Sequence, residues 1–336
     1  MPTLLALLMS SLLLTASAGA RDSWVLDVSR LRGAAPVAVY DVGGHLLVED
    51  DGAGLSAIDP ATGRVLWFVR GPGRLDHRPM LSRGRIVLVS GDRVLEVTAS
   101  EGERTHGGSL RSLSTAAPAS NEAALFVPEV LEGRLSALPR TGGLALWHFD
   151  VPGGVIAPVL MTGSAGNAQV IVLGGDGVLR SLPAGRATPR RESWTARTGR
   201  LATVPVLAGA HVITASRDGR ITARTANVGQ VAWERVLGQP ATGGLIVGDD
   251  YVLVPLASGV IALERSTGVT RWESSGSTKA LGALGSRVLL LDGSGSPRLH
   301  DAATGEAGAA LPKGTRAFGE HLVRVDGAHL AGVRAD

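Results

Sequence analysis

Residues 57–67 read Ala-Ile-Asp-Pro-Ala-Thr-Gly-Arg-Val-Leu-Trp, and this phrase decides the fold because it returns later in the chain. Residues 262–272 read Ala-Leu-Glu-Arg-Ser-Thr-Gly-Val-Thr-Arg-Trp, and residues 223–233 keep the same spacing of Ala, Gly and Trp. A phrase that recurs at a fixed distance of tens of residues indicates a series of similar supersecondary units. We therefore predict a repeat protein.

The tryptophans mark the period of this repeat. Successive tryptophans are separated by 43, 80, 47, 39 and 39 residues, which are multiples of about forty. An indole on the outermost strand of a unit can bury apolar area against the next unit while its ring N–H finds a backbone acceptor. We therefore predict a structural role between units for Trp24, Trp67, Trp147, Trp194, Trp233 and Trp272.

Each period contains four short apolar runs separated by turn residues. Between Trp194 and Trp233 these runs cover residues 204–208, 211–216, 220–225 and 231–236. The Asp218-Gly219 pair lies between the second and third runs, and such a pair supplies the positive φ of a tight hairpin turn. Four antiparallel strands per period make one blade of a β-propeller.

The count of repeats predicts eight blades, although two repeats have lost the tryptophan. His106 and Ala309 stand four residues after the turn glycines Gly102 and Gly305, where the other repeats carry Trp. Only three strand-length runs follow Ala309, and these cover residues 315–318, 321–325 and 329–333.

The segment around Trp24, residues 23–27, has no three strands before it, so we expect it to complete the last blade. Closure of the ring in this way removes an exposed sheet edge. The predicted fold class is an all-β, eight-bladed β-propeller of four-stranded antiparallel blades.

The N-terminal segment predicts export. Residues 2–20 carry no charge, and the apolar run 4–14 is too short to span a bilayer. Small residues follow this run, as they do in a secretory signal peptide, and cleavage is expected after Ala18 or Ala20. We therefore predict a signal peptide over residues 1–20 and one propeller domain over residues 21–336. The mature chain then has no transmembrane segment and is periplasmic or secreted.

The composition narrows the classes of function. There is no cysteine, so a disulfide framework, a thiolate nucleophile and a cysteine metal site are all excluded. The net charge is +3, carried by 31 arginines and two lysines against 30 acidic residues. The sequence contains no basic stripe interleaved with aromatic residues, and we therefore predict no nucleic-acid partner.

The phrase Ala-x-Asp-x-x-Thr-Gly-x-x-x-Trp, complete at residues 57–67 and degenerate at 262–272, resembles the repeat of the pyrroloquinoline-quinone (PQQ)-like eight-bladed propellers. That family includes quinoprotein dehydrogenases, bacterial surface and sensor domains, and BamB-like scaffolds of outer-membrane protein assembly. The size of the chain and its predicted export make the BamB-like branch the nearest resemblance. The resemblance implies a non-catalytic, monomeric scaffold whose partners are proteins, including outer-membrane assembly components. Because no cysteine follows the signal peptide, lipid anchoring through cysteine is not expected.

The sequence predicts no catalytic site, no cofactor and no metal site. The innermost strands are mostly small and apolar, so the channel offers no carboxylate cluster for quinone and calcium chemistry. His45, His211 and His321 all begin the second strand of their blades, and equivalent positions around a ring cannot converge on one ion. Residues 49–52, Glu-Asp-Asp-Gly, lie where other blades carry a hairpin turn, which favours a solvated turn over a calcium loop.

An irregularity in the fourth blade predicts a partner site. This blade is the longest, and its additional residues divide between the turns at 162–167 and 183–191, which emerge on one face. They carry Arg186, Arg190 and Arg191, with Arg180 and Arg197 nearby, and guanidinium groups suit an acidic protein partner. A tolerated surface insertion would give the same pattern.

Two functional classes remain open alongside the scaffold. A ligand-sensing or carbohydrate-binding propeller would use the mouth of the channel, yet only four phenylalanines and two tyrosines are available to line it. A quinone-dependent dehydrogenase is the least favoured class, because the metal-binding carboxylates are missing.

Overall fold

Short β-strands make up nearly all of the chain in a computed structural model. The structure describes residues 21–32, 35–82, 84–110, 112–130, 133–140, 144–163, 167–189 and 191–334. These residues form thirty-two β-strands and one short helix, α1 (Ser29–Arg32). The predicted signal peptide, residues 1–20, lies outside the described residues.

The strands form eight antiparallel sheets of four strands each, and every sheet is one blade. Blade 1 consists of β2 (Pro36–Val42), β3 (His45–Asp50), β4 (Gly54–Ile58) and β5 (Val65–Arg70). Blade 2 consists of β6 (Met80–Ser82), β7 (Arg85–Ser90), β8 (Arg93–Thr98) and β9 (Arg104–Ser109). Blade 3 consists of β10 (Ala119–Ser120), β11 (Ala124–Glu129), β12 (Arg134–Pro139) and β13 (Trp147–Asp150). Blade 4 consists of β14 (Leu160–Thr162), β15 (Gln169–Leu173), β16 (Val178–Pro183) and β17 (Trp194–Arg197).

The second half of the ring repeats this order. Blade 5 consists of β18 (Val206–Ala208), β19 (His211–Ala215), β20 (Arg220–Thr225) and β21 (Val231–Val236). Blade 6 consists of β22 (Ile246–Val247), β23 (Tyr251–Leu256), β24 (Gly259–Glu264) and β25 (Thr270–Ser274). Blade 7 consists of β26 (Ser277–Leu284), β27 (Arg287–Asp292), β28 (Pro297–Asp301) and β29 (Ala307–Ala310). Blade 8 consists of β30 (Thr315–Phe318), β31 (His321–Asp326), β32 (His329–Arg334) and β1 (Arg21–Asp27).

Blade 8 closes the ring as the sequence predicts. Strand β1 pairs antiparallel with β32, and Trp24 lies opposite Gly332. The innermost strands of blades 8 and 1, β30 and β2, are in contact. The prediction of an eight-bladed propeller closed by the N-terminal strand is therefore confirmed.

The up-and-down order of the strands gives the ring two faces. The turns between second and third strands, together with the segments that connect one blade to the next, form what we call the upper face. The turns between first and second strands and between third and fourth strands form the lower face. The first strand of each blade lines the central channel, and the fourth strand lies outermost.

Apolar cores lie between neighbouring blades. One cluster joins Leu47 and Trp67 of blade 1 to Ile86 and Leu88 of blade 2, and all four side chains are buried. Because alternate side chains of a strand point to opposite sides of the sheet, each blade contributes apolar residues to two such cores. The second and third strands, which are covered on both sides, are accordingly the most apolar.

Each tryptophan indole joins its blade to the next blade. Its ring N–H donates to a backbone carbonyl in the turn between the third and fourth strands of the following blade. The six donor–acceptor pairs are Trp24 to Pro60 (3.1 Å), Trp67 to Ala99 (2.7 Å), Trp147 to Gly185 (3.0 Å), Trp194 to Ala226 (2.9 Å), Trp233 to Arg265 (2.9 Å) and Trp272 to Ala302 (2.9 Å).

The glycine of the repeated phrase receives the indole of the preceding blade. Gly102 has a φ of +69°, and a Cβ atom there would lie 2.7 Å from Cδ2 of Trp67. In blade 1 the phrase also builds its own turn, because Asp59 accepts the Ala61 N–H (2.9 Å) and the Thr62 hydroxyl (2.7 Å). These hydrogen bonds, the Thr62 hydroxyl first, hold the pKa of Asp59 below its usual value. The phrase therefore encodes both halves of one contact between blades.

The third-strand residue opposite the tryptophan is small wherever the tryptophan is present. Ala57 pairs with Trp67, Ala262 with Trp272, and Gly332 with Trp24. In the two blades without tryptophan this residue is large. Glu96 pairs with His106 in blade 2, and Leu299 faces the bulge that contains Ala309 in blade 7. The third-strand residue and the fourth-strand residue opposite it therefore fill the same space between the blades.

An ion pair replaces the indole between blades 2 and 3. The buried carboxylate of Glu96 accepts a hydrogen bond from Arg140, which lies in the turn after β12. Arg140 also donates to the Asn121 carbonyl (2.5 Å). Blades 2 and 3 are thus joined by charge at one of the two interfaces where both the small residue and the tryptophan have changed.

Candidate functional site

The arginine loop of blade 4 lies on the lower face, between β16 and β17. Arg186 and Arg191 are exposed, whereas Arg190 lies outside the described residues. The base of the loop is fixed, because Trp147 donates to Gly185 and the Asn121 side-chain amide donates to the buried Ala184 carbonyl at 2.7 Å. The insertion therefore begins as part of the contact between blades 3 and 4.

Arg180 and Arg197, which the sequence placed near that loop, do not belong to it. The Arg180 guanidinium is buried and donates two hydrogen bonds to Asp176, at 2.9 and 2.5 Å. Arg197 pairs with Val178, at the end of the blade opposite the loop. The antiparallel register of β16 and β17 thus sends Arg197 to the upper face, and the predicted basic projection is smaller than expected.

Two depressions on the upper face lie on either side of Ile156. The first, of about 680 Å³, is lined by the turn of blade 3 and the segment from blade 3 to blade 4, including Val130 and Val155. The second, of about 750 Å³, is lined by Leu173, Leu201 and the turn of blade 4. Ile156 contributes to both, so the two depressions form one continuous surface over blades 3 to 5.

Exposed aliphatic side chains follow this surface. Ile156 is 56% exposed, Leu113 is 56% exposed and Val130 is 50% exposed. Their backbones are held in place, since the Val130 N–H donates to the Leu113 carbonyl and the Ile156 N–H donates to the Leu173 carbonyl, both at 3.0 Å. We call Leu113, Val130 and Ile156 the apolar row. An exposed apolar patch with polar residues at its rim is typical of a surface that another molecule covers.

Three arginines surround the second depression. Arg197, Arg200 and Arg217 are exposed and line it together with Ile156. None of the ion pairs between described residues involves any of the three. The acidic residue of the depression, Asp176, is already bound by Arg180, and this hydrogen bond lowers the pKa of Asp176. The depression therefore carries a local excess of positive charge.

The loops beneath the two depressions pack backbone against backbone, and we call the surface that they form the floor. A Cβ atom at Gly153 would lie 2.9 Å from the Cα atom of Gly175, and the Gly175 N–H donates to the Gly154 carbonyl at 2.9 Å. Close approach of this kind requires glycine. The surface is therefore a preformed floor between the apolar row and the three arginines.

The residues considered for a metal are distributed as the repeat suggests. His45, His211 and His321 begin β3, β19 and β31, each the second strand of its blade. No group of three or more His, Cys, Asp or Glu side chains within the described residues could hold a metal ion.

Glu49 differs from the expectation of a solvated turn. Its carboxylate is buried, and it accepts the Tyr40 hydroxyl and the Leu75 N–H, both at 2.8 Å. Burial, and then the bond to Glu49, raise the pKa of Tyr40 above its usual value. Asp50 accepts the Gly54 N–H at 2.6 Å, so both carboxylates serve the local backbone.

The lower mouth of the channel contains an apolar cavity of about 340 Å³. Its walls come from the innermost strands of blades 2 to 5 and include Met80, Leu81, Leu160, Met161 and Leu207. None of the described residues that line it has an aromatic side chain. Stacking on a sugar ring needs such a side chain, so the cavity does not favour a carbohydrate site.

The described residues contain no helix that is long and apolar enough to cross a membrane. Among curated proteins, a comparison by sequence finds no match.

Solved structures with the same architecture have diverse functions. BamB from Moraxella catarrhalis is 16% identical, with a TM-score of 0.66 over 94% of this chain and 98% of that chain. Quinohemoprotein alcohol dehydrogenase from Comamonas testosteroni is 11% identical, with a TM-score of 0.61 over 94% of this chain and 76% of that chain. Saccharomyces cerevisiae Sqt1 is 7% identical, with a TM-score of 0.67 over 90% and 96%. At these identities the likeness concerns the fold.

The sequence itself carries the family assignment. A family model described as outer membrane protein assembly factor BamB matches residues 13–148 and 131–307. Together these matches span most of the chain, including seven of the eight repeats counted from the tryptophan period. The chain therefore belongs to the family of the outer membrane protein assembly factor BamB.

Proposed function

We propose that this protein is an exported, non-catalytic scaffold that binds another protein through the upper face of blades 3 to 5. The observation that carries the proposal is the preformed floor around Ile156, where an exposed apolar row adjoins three arginines that no described acidic residue pairs. Family membership supports a role in outer-membrane protein assembly, and the predicted signal peptide supports export.

The chemistry of the surface specifies its partner. Aliphatic side chains supply the area that becomes buried, and exposed guanidinium groups pair with carboxylates bidentately. We therefore propose a partner segment that carries an apolar side chain next to Asp or Glu. Attraction of this kind is screened by salt, so binding should weaken as ionic strength rises.

Substitution of the surface tests the proposal. Ile156→Asp places a carboxylate in the centre of the apolar row, and we expect it to reduce capture of the partner by about tenfold or more, since central hot-spot residues contribute 2 kcal/mol or more. Arg200→Ser combined with Arg217→Ser should reduce capture and remove most of its salt dependence. The measurement is affinity capture by the full chain from periplasmic extract, with the partner identified by mass spectrometry.

The matched control lies on the opposite face. Arg186→Ser combined with Arg191→Ser removes two exposed arginines of the lower-face loop, and on the present proposal it leaves capture unchanged. Melting temperatures should agree among all variants, because exposed substitutions usually change the free energy of unfolding by less than about 0.5 kcal/mol. Loss of capture in the control alone would support the loop predicted from the sequence and reject the upper face.

A further inference from the structure

The outermost strand of blade 7 differs from the other seven. Strand β29 reads Ala-Gly-Ala-Ala, and all four residues are exposed. Every other outermost strand contains at least one charged residue, and six of them contain a tryptophan. Charged residues on an edge strand discourage pairing with another chain, so β29 is the least protected edge of the ring.

A cavity of about 340 Å³ adjoins this strand. It is lined by β29, by Leu299 of the neighbouring strand β28, and by Arg287, Asp301 and Glu306. We call it the blade 7 notch. Leu299 occupies the third-strand position that faces a tryptophan in six blades, and Ala309 occupies the position of that tryptophan. The notch is therefore the place where the indole of a blade would lie.

The reason for the missing indole is the connectivity of blade 8. In blades 1, 2, 4, 5, 6 and 7 the turn between the third and fourth strands receives the preceding indole, and in blade 3 that turn supplies Arg140 to Glu96. In blade 8 those strands are β32 and β1, which come from opposite ends of the chain, so no such turn joins them. Among the described residues, neither an indole of blade 7 nor such a turn covers this interface.

We propose that the blade 7 notch binds an aromatic side chain of another protein, carried on an extended segment that pairs with β29. The six internal contacts show which group the equivalent position of the other interfaces accepts, namely a flat aromatic ring between two blades. A residue directly opposite Ala309 on an added strand would have its Cβ about 5 Å away and would point to the same side of the sheet. An aromatic ring at that point reaches over Ala309 toward Leu299.

The class of side chain follows from the wall of the notch. The indole N–H of each internal contact uses a turn carbonyl, and the described residues of blade 8 contain no equivalent turn. Phenylalanine and tryptophan should therefore bind equally well. Leucine should bind less well, because an aromatic side chain buries a larger surface area, about 150–250 Å².

The inference goes beyond the proposed function, because it concerns a different surface. The probe is an acetylated and amidated peptide of alternating threonine and valine with one central phenylalanine and a lysine at each end. Binding to the full chain is measured by isothermal titration calorimetry and by fluorescence anisotropy of a labelled copy. Replacement of the phenylalanine by alanine should weaken binding by about tenfold or more. N-methylation of alternate amides on the pairing edge should abolish binding, since strand addition depends on main-chain hydrogen bonds.

The decisive protein variant restores the repeat pattern in blade 7. Leu299→Ala combined with Ala309→Trp recreates the small residue and the tryptophan found opposite each other in blade 6, and it fills the notch from within the chain. We expect peptide binding to fall by at least about tenfold, while the chain remains folded. Val231→Lys on the outer strand of blade 5 is the control and should leave binding unchanged.

Several results would overturn the inference. They are equal binding of the alanine peptide, undiminished binding by the double variant, or a chain that dimerises through β29 in sedimentation experiments instead of binding the peptide. The upper-face variant Ile156→Asp should bind the peptide normally, so failure of this inference and failure of the proposed function are distinguishable.

Discussion

Trp67→Ala is expected to lower the free energy of unfolding by about 3–5 kcal/mol, the usual cost of removing a large buried aromatic side chain. Trp67 is buried, packs in the core between blades 1 and 2, and donates its N–H to the Ala99 carbonyl at 2.7 Å. Its loss leaves both a cavity and an unpaired buried carbonyl. Urea unfolding followed by far-ultraviolet circular dichroism measures the change.

Two glycine substitutions separate the contact with Trp67 from backbone strain. Gly102 and Gly199 have the same φ of +69°, but a Cβ atom at Gly102 would meet the Trp67 ring whereas one at Gly199 would meet nothing within 4 Å. Gly199→Ala should lower the free energy of unfolding by about 1 kcal/mol through backbone strain alone. Gly102→Ala should lower it clearly more, because the added methyl group also meets the Trp67 ring. Equal costs would contradict the account of the repeated phrase as two halves of one contact.

Arg140→Ala is expected to have a similarly large effect, up to about 3–5 kcal/mol, because it leaves the buried Glu96 carboxylate with only the more distant Arg85 guanidinium as a counter-charge. Glu96 lies at the interface between blades 2 and 3 and is held by Arg140, with the Arg85 guanidinium at 3.5 Å. Denaturant unfolding of Arg140→Ala and of Glu96→Ala measures how much each single variant lowers the free energy of unfolding.

The double variant Glu96→Ala with Arg140→Ala completes a thermodynamic cycle for this pair. Removal of both charges also removes the buried carboxylate, so the double variant should be more stable than Arg140→Ala alone. Additive costs in the two single variants would show that the pair does not act as a unit and would contradict the replacement of the indole by charge.

The fold was accessible from the sequence because each blade is a local unit with a repeated signal. The tryptophan at the end of one phrase and the glycine within the next are read in order along the chain, although they meet between blades. The loss of Trp at His106 and Ala309 could also be located from the turn glycines. The side chains that replace the lost indole could not be identified from the sequence. Glu96 and Arg140 belong to different blades and become neighbours only in the folded ring.

The candidate site was less accessible. An unusual length drew attention to Arg186 and Arg191, whereas the upper face is made from ordinary-looking segments of three blades. Ile156 lies in an apolar stretch, and its exposure follows only from the path of the segment between blades 3 and 4. Likewise, the sequence did not distinguish the environments of Arg180 and Arg197. Asp176 binds the buried Arg180, whereas Arg197 is exposed on the upper face.

Site-specific photocrosslinking in cells tests the central claim, binding of a protein by the upper face, most directly. A photoreactive residue is placed at Ile156 in one full-length protein and at the exposed lower-face position Ala187 in another. The account predicts a crosslink from position 156 that maps to an acidic segment of an outer-membrane assembly protein, and none from position 187. A crosslink from position 187 alone, or none from position 156, would contradict it.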